Sequence, residues 1–290
     1  MNYEAQLAEN GRGWIAHRLN GEALFFESLL PNTSETALIV DMHVHLGEKW
    51  WLKERKAQAD KVQEFGPQEA IERMKRAGVD KAVVFSIPEG GSRGCLDNDS
   101  VMSAAKKYPD RFVPFVVVDP TWRDARDEIE RCLKLGAKGI KLHPQLHGYS
   151  LSNHDLVDPI FEMAAKNRMV VISHGLGDNI YTVPIRFAEM AETFADVSLV
   201  MAHSGFMFGV DEARRYIKKY ENLYGDTTCL YTYDLRNAVE YCGANKFLMG
   251  TDEPWGAMEE QIWRVKFALP KEEDRRLVLG ANAARLLNLE

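Results

Sequence analysis

The 290-residue sequence predicts an α/β protein: a single (β/α)8 TIM barrel over residues 37–290, behind a short N-terminal extension of residues 1–36. Three observations predict it. Apolar, strand-like runs occur at 37–43, 79–86, 112–118, 138–142, 169–173, 197–202, 222–227 and 246–250, which makes eight. Segments with the 3.6-residue periodicity of amphipathic helices separate them, and strand–helix alternation of this kind builds parallel sheets. No internal repeat, low-complexity stretch or Pro- or Ser-rich linker divides the chain, so the units belong to one body. An open doubly wound sheet is the other arrangement of the same alternation; eight units are the number a closed barrel requires.

Along the chain, residues 1–36 read as a polar helix with Trp14, Ile15, Leu24, Phe25 and Phe26 as packing points, closed by Pro31-Asn32-Thr33-Ser34. The first strand follows at once. Helical periodicity then covers residues 67–77, 99–107, 122–135, 155–167, 184–194 and 211–219. Several of these helices end in turn residues that lead into the next strand, as in Ala77-Gly78-Val79 and Leu135-Gly136-Ala137.

Composition narrows the function. The net charge of -7 arises from dispersed acids and bases without a basic block, which sets nucleic acid and anionic membrane aside as partners. No apolar run approaches the roughly 20 residues that span a bilayer. The first twenty residues carry Glu4, Glu9, Arg12 and Arg18 in place of the ordered regions of a secretory signal, so a cytoplasmic protein is expected. Cys95, Cys132, Cys229 and Cys242 form no CxxC pair and read as core thiols. Homo-oligomerisation through barrel helices or the extension is compatible with the sequence.

The chemistry gathers at strand ends. Leu38-Ile39-Val40-Asp41-Met42-His43-Val44-His45, Ile140-Lys141-Leu142-His143, Val170-Val171-Ile172-Ser173-His174, Leu199-Val200-Met201-Ala202-His203 and Phe247-Leu248-Met249-Gly250-Thr251-Asp252 each close an apolar run with a metal-ligand type. His43 and His45 are two residues apart, so a regular strand sends both to one face. In a parallel barrel the C-terminal ends of all strands meet at one rim, where residues of the first, fourth, fifth, sixth and eighth strands converge. An isolated HxH pair is weak evidence for a metal. Three further ligand types at equivalent strand ends make a metal centre the better explanation.

These motifs, with Tyr108-Pro109-Asp110-Arg111-Phe112, Val118-Asp119-Pro120, Lys141-Leu142-His143-Pro144, Ala202-His203-Ser204-Gly205, Gly250-Thr251-Asp252-Glu253-Pro254 and Asn282-Ala283-Ala284-Arg285-Leu286-Leu287, resemble the amidohydrolase superfamily. The resemblance runs over residues 37–290 and is nearest the amidohydrolase-related branch that includes aminocarboxymuconate semialdehyde decarboxylase. It implies that His43, His45, His174 and Asp252 hold one divalent cation, zinc or manganese. Imidazoles and a carboxylate with one open position suit catalytic zinc, which acidifies a bound water. Asp252 would also take the water's proton, with His203 hydrogen-bonding the water or a developing oxyanion. Lys141 and His143 would serve either a second cation, through a carboxylated lysine, or a substrate carboxylate. The implied activity is hydrolysis of an amide, lactone or ester carbonyl in a small acidic substrate; the alternative is nonoxidative decarboxylation of an aromatic or unsaturated acid.

Rim loops choose substrates. Trp50 and Trp51 after the first strand, Arg93 in the glycine-rich loop after the second, Tyr181 after the fifth and Trp255 after the eighth are the candidate substrate contacts. His17, His147 and His154 read as solvent-exposed.

Overall fold

The computed structural model describes residues 15–19, 22–26, 38–48, 64–88 and 97–289. Contacts separate residues 1–36 from residues 37–290. In the first unit, β1 (Ile15–Leu19) pairs antiparallel with β2 (Glu22–Phe26), Ile15 opposite Phe26 and Leu19 opposite Glu22. Over the described residues 15–19 and 22–26 the expected polar helix is therefore corrected to a strand pair. The intervening Asn20-Gly21 is the dipeptide that favours two-residue hairpin turns, and that local signal outweighs the scattered polar residues. Trp14 lies outside the described residues.

In the second unit the strands are β3 (Val40–Glu48), β4 (Glu64–Phe65), β5 (Lys81–Ser86), β6 (Phe112–Val117), β7 (Gly139–Leu142), β8 (Val170–Ser173), β9 (Leu199–Met201), β10 (Leu223–Asp226) and β11 (Phe247–Leu248). They form one sheet in the order β11-β10-β9-β8-β7-β6-β5-β3-β4, parallel except for the short β4. The sheet closes on itself. Met42 N–H donates to Met249 O at 2.8 Å, Asp252 N–H to His43 O at 2.8 Å and His45 N–H to Glu253 O at 2.8 Å, which joins β3 to the segment after β11. The result is a (β/α)8 barrel, with each predicted run present as a strand.

The helices are α1 (Pro67–Ala77), α2 (Asn98–Lys107), α3 (Ala125–Lys134), α4 (Pro144–His147), α5 (His154–Asn167), α6 (Pro184–Thr193), α7 (Val210–Lys219), α8 (Thr232–Cys242), α9 (Met258–Ala268), α10 (Glu272–Arg276) and α11 (Asn282–Leu287). Helix α1 shows why such segments form. Pro67 begins it without wasting an N–H, Lys75 and Arg76 oppose the dipole in its last turn, and Gly78 closes it at φ 76°. Its buried face is Ala70, Ile71 and Met74.

Two apolar layers result. Inside the barrel, Val40, Met42, Val83, Phe85, Val113, Phe115, Val117, Val170, Ile172, Val200 and Leu248 pack together, and Ala283 and Leu287 of α11 join them. Between strands and helices lies the larger layer, to which Val44, Leu46, Val84, Val116 and Leu142 belong. A Cβ on Gly139 would stand 2.2 Å from Phe115 Cε2, so the aromatic ring fills the place of the absent side chain. Asn282, fully buried, donates through Nδ2 to Ala244 O and Phe247 O, both at 2.8 Å. The closing Asn-Ala-Ala-Arg motif is thereby tied to the entry of β11.

Strand β3 carries an irregularity that matters for chemistry. Its pairing with β5 shifts register between Asp41 and Val44. Val40 and Met42 belong to the interior layer while Val44 and Leu46 belong to the outer one, so the phase of alternation changes between them. A bulge of this kind lets His43 and His45 continue on the interior side above Met42.

Candidate metal centre

Three side chains close into a small triangle at the C-terminal rim. His43 Nε2 lies 3.2 Å from His45 Nε2, Asp252 Oδ1 lies 3.1 Å from His43 Nε2, and Asp252 Oδ1 lies 3.2 Å from His45 Nε2. Their outer atoms fix what faces inward. His43 Nδ1 meets Asp226 Oδ2 at 2.8 Å, and His45 Nδ1 meets Ser86 O at 3.3 Å. A carboxylate and a carbonyl can only accept, which places a proton on each Nδ1 and, in the neutral rings, leaves each Nε2 as an acceptor. With both rings neutral, three lone-pair-bearing atoms converge, as they would on a bound cation.

This is the arrangement a cation needs. Donors bound at 2.0–2.1 Å to a tetrahedral zinc stand about 3.3 Å apart, close to the edges of this triangle. Ligating imidazoles characteristically donate their far N–H to a carboxylate or a backbone carbonyl, as both do here. Lys141, fully buried, places Nζ 3.0 Å from His43 Nε2 and 4.6 Å from the Phe85 ring centroid.

The other candidates stand around the triangle. His203 follows β9 in a left-handed turn at φ 61°, and its Nε2 lies 3.1 Å from His174 Nδ1. His174 Nε2 meets Gln145 Oε1 at 2.9 Å, so His174 reaches the triangle through His203. His143 stacks on His174 at a centroid distance of 4.0 Å and accepts the Leu146 N–H through Nδ1, capping α4. Trp255 sets its ring edge-on to His45 at 4.9 Å while remaining 49% exposed. Tyr181, half-buried, bonds through its amide to Asn179 Oδ1 and through its carbonyl to Leu151 N–H. Trp50, Trp51 and Arg93 lie outside the described residues, as does Cys95.

Burial keeps four of the five imidazoles neutral, His43 being the exception. Burial pushes His45 down to about 3 and His203 down to about 4, and holds His143 and His174 well below the usual histidine range. For His43, burial and Lys141 push downward, and the Asp252 and Asp226 carboxylates more than offset them. Burial opposes charge on Asp252 too, yet His43, His45 and His203 outweigh it and hold the carboxyl well below its usual range. Lys141 is lowered to about 8 by burial, against the attraction of Asp252 and Asp226.

Several contributors are absent from the sequence-based set. Asp226, at the end of β10, accepts from His43 and also takes His203 N–H on Oδ1 at 2.7 Å. Its position at the end of the seventh apolar run is the signal the sequence carries for it. Asp41 accepts His43 N–H at 3.0 Å and Thr251 N–H at 3.1 Å, and burial pushes its carboxyl up to about 7. Two expectations are corrected. Cys229 is exposed rather than a core thiol, because it follows β10 at the rim with φ 64°. His147 is half-buried with both ring nitrogens buried, because the turn that ends α4 tucks it beside Tyr149. His154 is exposed as expected and pairs with Asp158; the side chain of His17 is not described.

The family model for amidohydrolases matches residues 40–289. The chain belongs to the amidohydrolase family, a family of metal-dependent enzymes. No curated protein sequence matches it. Among solved structures it is similar to 5-carboxyvanillate decarboxylase from Sphingomonas paucimobilis, at 15% identity and a TM-score of 0.69 over 88% of this chain and 100% of that one. It is similar to 2,6-dihydroxybenzoate decarboxylase from Rhizobium, at 18% identity and a TM-score of 0.68 over 88% and 99%. It also resembles a probable 2-pyrone-4,6-dicarboxylic acid hydrolase from Acinetobacter baumannii, at 16% identity and a TM-score of 0.63 over 87% and 99%. At these identities the likeness speaks for the fold. Among the described residues no helix is long and apolar enough to cross a membrane.

Proposed function

We propose that this enzyme hydrolyses an amide, lactone or ester bond in a small acidic molecule at one divalent cation, zinc or manganese. His43, His45 and Asp252 would hold the cation; His174, expected from the sequence as a fourth ligand, has both ring nitrogens engaged, by His203 and Gln145. The observation that carries the proposal is the triangle of three donor atoms at 3.1–3.2 Å. A bound divalent cation supplies Lewis acidity and an acidified water.

The chain's own groups supply the rest. Asp252, ionised, accepts the proton of the attacking water and returns it to the leaving group. His203 stands beside it as a neutral imidazole. If Gln145 accepts through Oε1, the proton of His174 lies on Nε2, and His203 Nε2–H donates to His174 Nδ1. His203 Nδ1 is then an acceptor, buried and without a partner in the structure, suited to orienting the water. Lys141 offers a buried cation to a substrate carboxylate, and Trp255 at the rim offers it an aromatic wall.

Decarboxylation of an aromatic or unsaturated acid is the second reading. It is favoured by the similar solved structures described as decarboxylases of 5-carboxyvanillate and 2,6-dihydroxybenzoate. One screen tests both. Metal-stripped protein should be inactive on lactones, amides and esters and regain turnover with zinc or manganese; full activity in verified metal-free protein overturns both readings. Carbon dioxide release from hydroxybenzoates, with no cleavage of lactones, amides or esters, would select the second.

A further inference from the structure

A second donor cluster lies at the same rim. One ring nitrogen of His203, Cys229 Sγ and one carboxylate oxygen of Asp252 lie within 4.8 Å of one another. Three successive strands, β9, β10 and β11, deliver them. All three residues are in the left-handed region, at φ 61°, 64° and 64° respectively. A side chain other than glycine's seldom occupies that region, and such conformations gather where a site holds them in place. Here three of them converge on one point.

The donors are available. His203 Nδ1 is buried and meets no hydrogen-bond partner. Cys229 is an exposed residue, and because burial around its thiol and the Asp252 and Asp226 carboxylates push that thiol up to about 12, the sulfur binds only a cation that displaces its proton. Asp252 directs Oδ1 to His43 and His45, and a carboxylate has two oxygens with which it can bridge two cations. Donors around a tetrahedral zinc stand about 3.3–3.8 Å apart, so side-chain movements of about 1 Å close this set.

We propose that His203, Cys229 and Asp252 form a second, thiolate-containing cation site, selective for thiophilic ions such as zinc or cadmium. Binding releases the Cys229 thiol proton to solvent as the sulfur–cation bond forms. Sulfur is the feature that separates this site from the His43–His45–Asp252 triangle, which offers only nitrogen and oxygen. Occupancy also engages His203 and Asp252, so excess zinc inhibits. The inhibition rests on the function proposed above; the binding does not.

Cobalt titration of the metal-stripped full chain tests the site, because cobalt bound to thiolate gives a near-ultraviolet charge-transfer band. Wild-type protein should take up two equivalents, the second bringing the band. Cys229→Ser should take up one equivalent and show no band, while Cys132 and Cys242 remain. His45→Asn should lose the other equivalent and keep the band, so failure of the triangle and failure of this site are read separately. Excess zinc should inhibit wild type and not Cys229→Ser. A band that persists in Cys229→Ser, or wild-type protein that binds cobalt without a thiolate band, overturns the proposal.

Discussion

Asp226 and His43 are joined by a buried hydrogen bond of 2.8 Å, from Nδ1–H of the imidazole to Oδ2 of the carboxylate. The other oxygen of Asp226 takes the backbone N–H of His203. A single side chain from β10 therefore sets both the tautomer of one proposed ligand and the position of the proposed catalytic histidine. Asp226→Asn should weaken zinc binding about 10–100-fold. An amide placed to donate to His43 Nδ1 would move the imidazole proton to Nε2 and spoil the donor triangle. Calorimetric titration with zinc, alongside far-ultraviolet circular dichroism to verify folding, checks it; unchanged affinity would remove Asp226 from the centre.

Acid should destabilise the metal-free protein through its buried histidines. His45 and His203 protonate near 6.5 in the unfolded chain but only near 3 and 4 when folded, because burial disfavours the charged ring. Between those values the unfolded state binds more protons, so stability is lost as pH falls below about 6.5. His43, whose value is raised, acts above 6.5 with the opposite sign. Urea unfolding at pH 7 and pH 5 should show the loss, and His203→Asn should reduce it; an equal slope in the variant would count against this assignment.

Zinc should stabilise the fold as well as enable turnover. A ligand present at about 1,000 times its Kd adds about 4 kcal/mol to the folded state. Wild-type protein should therefore melt several degrees higher with zinc than with chelator, and Asp252→Asn should respond far less. Equal zinc shifts in both would place the cation elsewhere.

The barrel interior should not tolerate a methyl group at residue 139. Gly139→Ala forces the new Cβ into the Phe115 ring and should cost about 1–3 kcal/mol. Adding Phe115→Leu should make the pair less destabilising than the sum of the single changes, since the two residues share one space. Strict additivity in a double-mutant cycle would contradict the packing described.

Much of the architecture was legible because its signals are local. Pro67, Gly78 and the spacing of Ala70, Ile71 and Met74 define α1 without help from the rest of the chain. The strand ends bearing His43, His45, His174, His203 and Asp252 were legible for the same reason, each closing a short apolar run. Asp226 and Gln145 were not. Their importance arises from contacts with His43 and His174, 183 and 29 residues away, and although Asp226 closes an apolar run, no local pattern names those partners.

The sequence by itself determined the barrel, the family and the residue types at its rim, because hydrophobic periodicity and strand-end chemistry depend on near neighbours. Only the tertiary structure decided how those residues combine. The bulge in β3 carries His43 and His45 to the interior side, and closure of the barrel brings Asp252 to within 3.2 Å of both. Asp226 and Ser86 then fix which nitrogens face inward. It also separated roles that looked equivalent along the chain, placing His174 behind His203 and bringing Cys229 near His203 and Asp252. The physical reason is convergence: parallel strands bring distant residues to one rim, and hydrogen bonds across strands decide which atoms each of them presents.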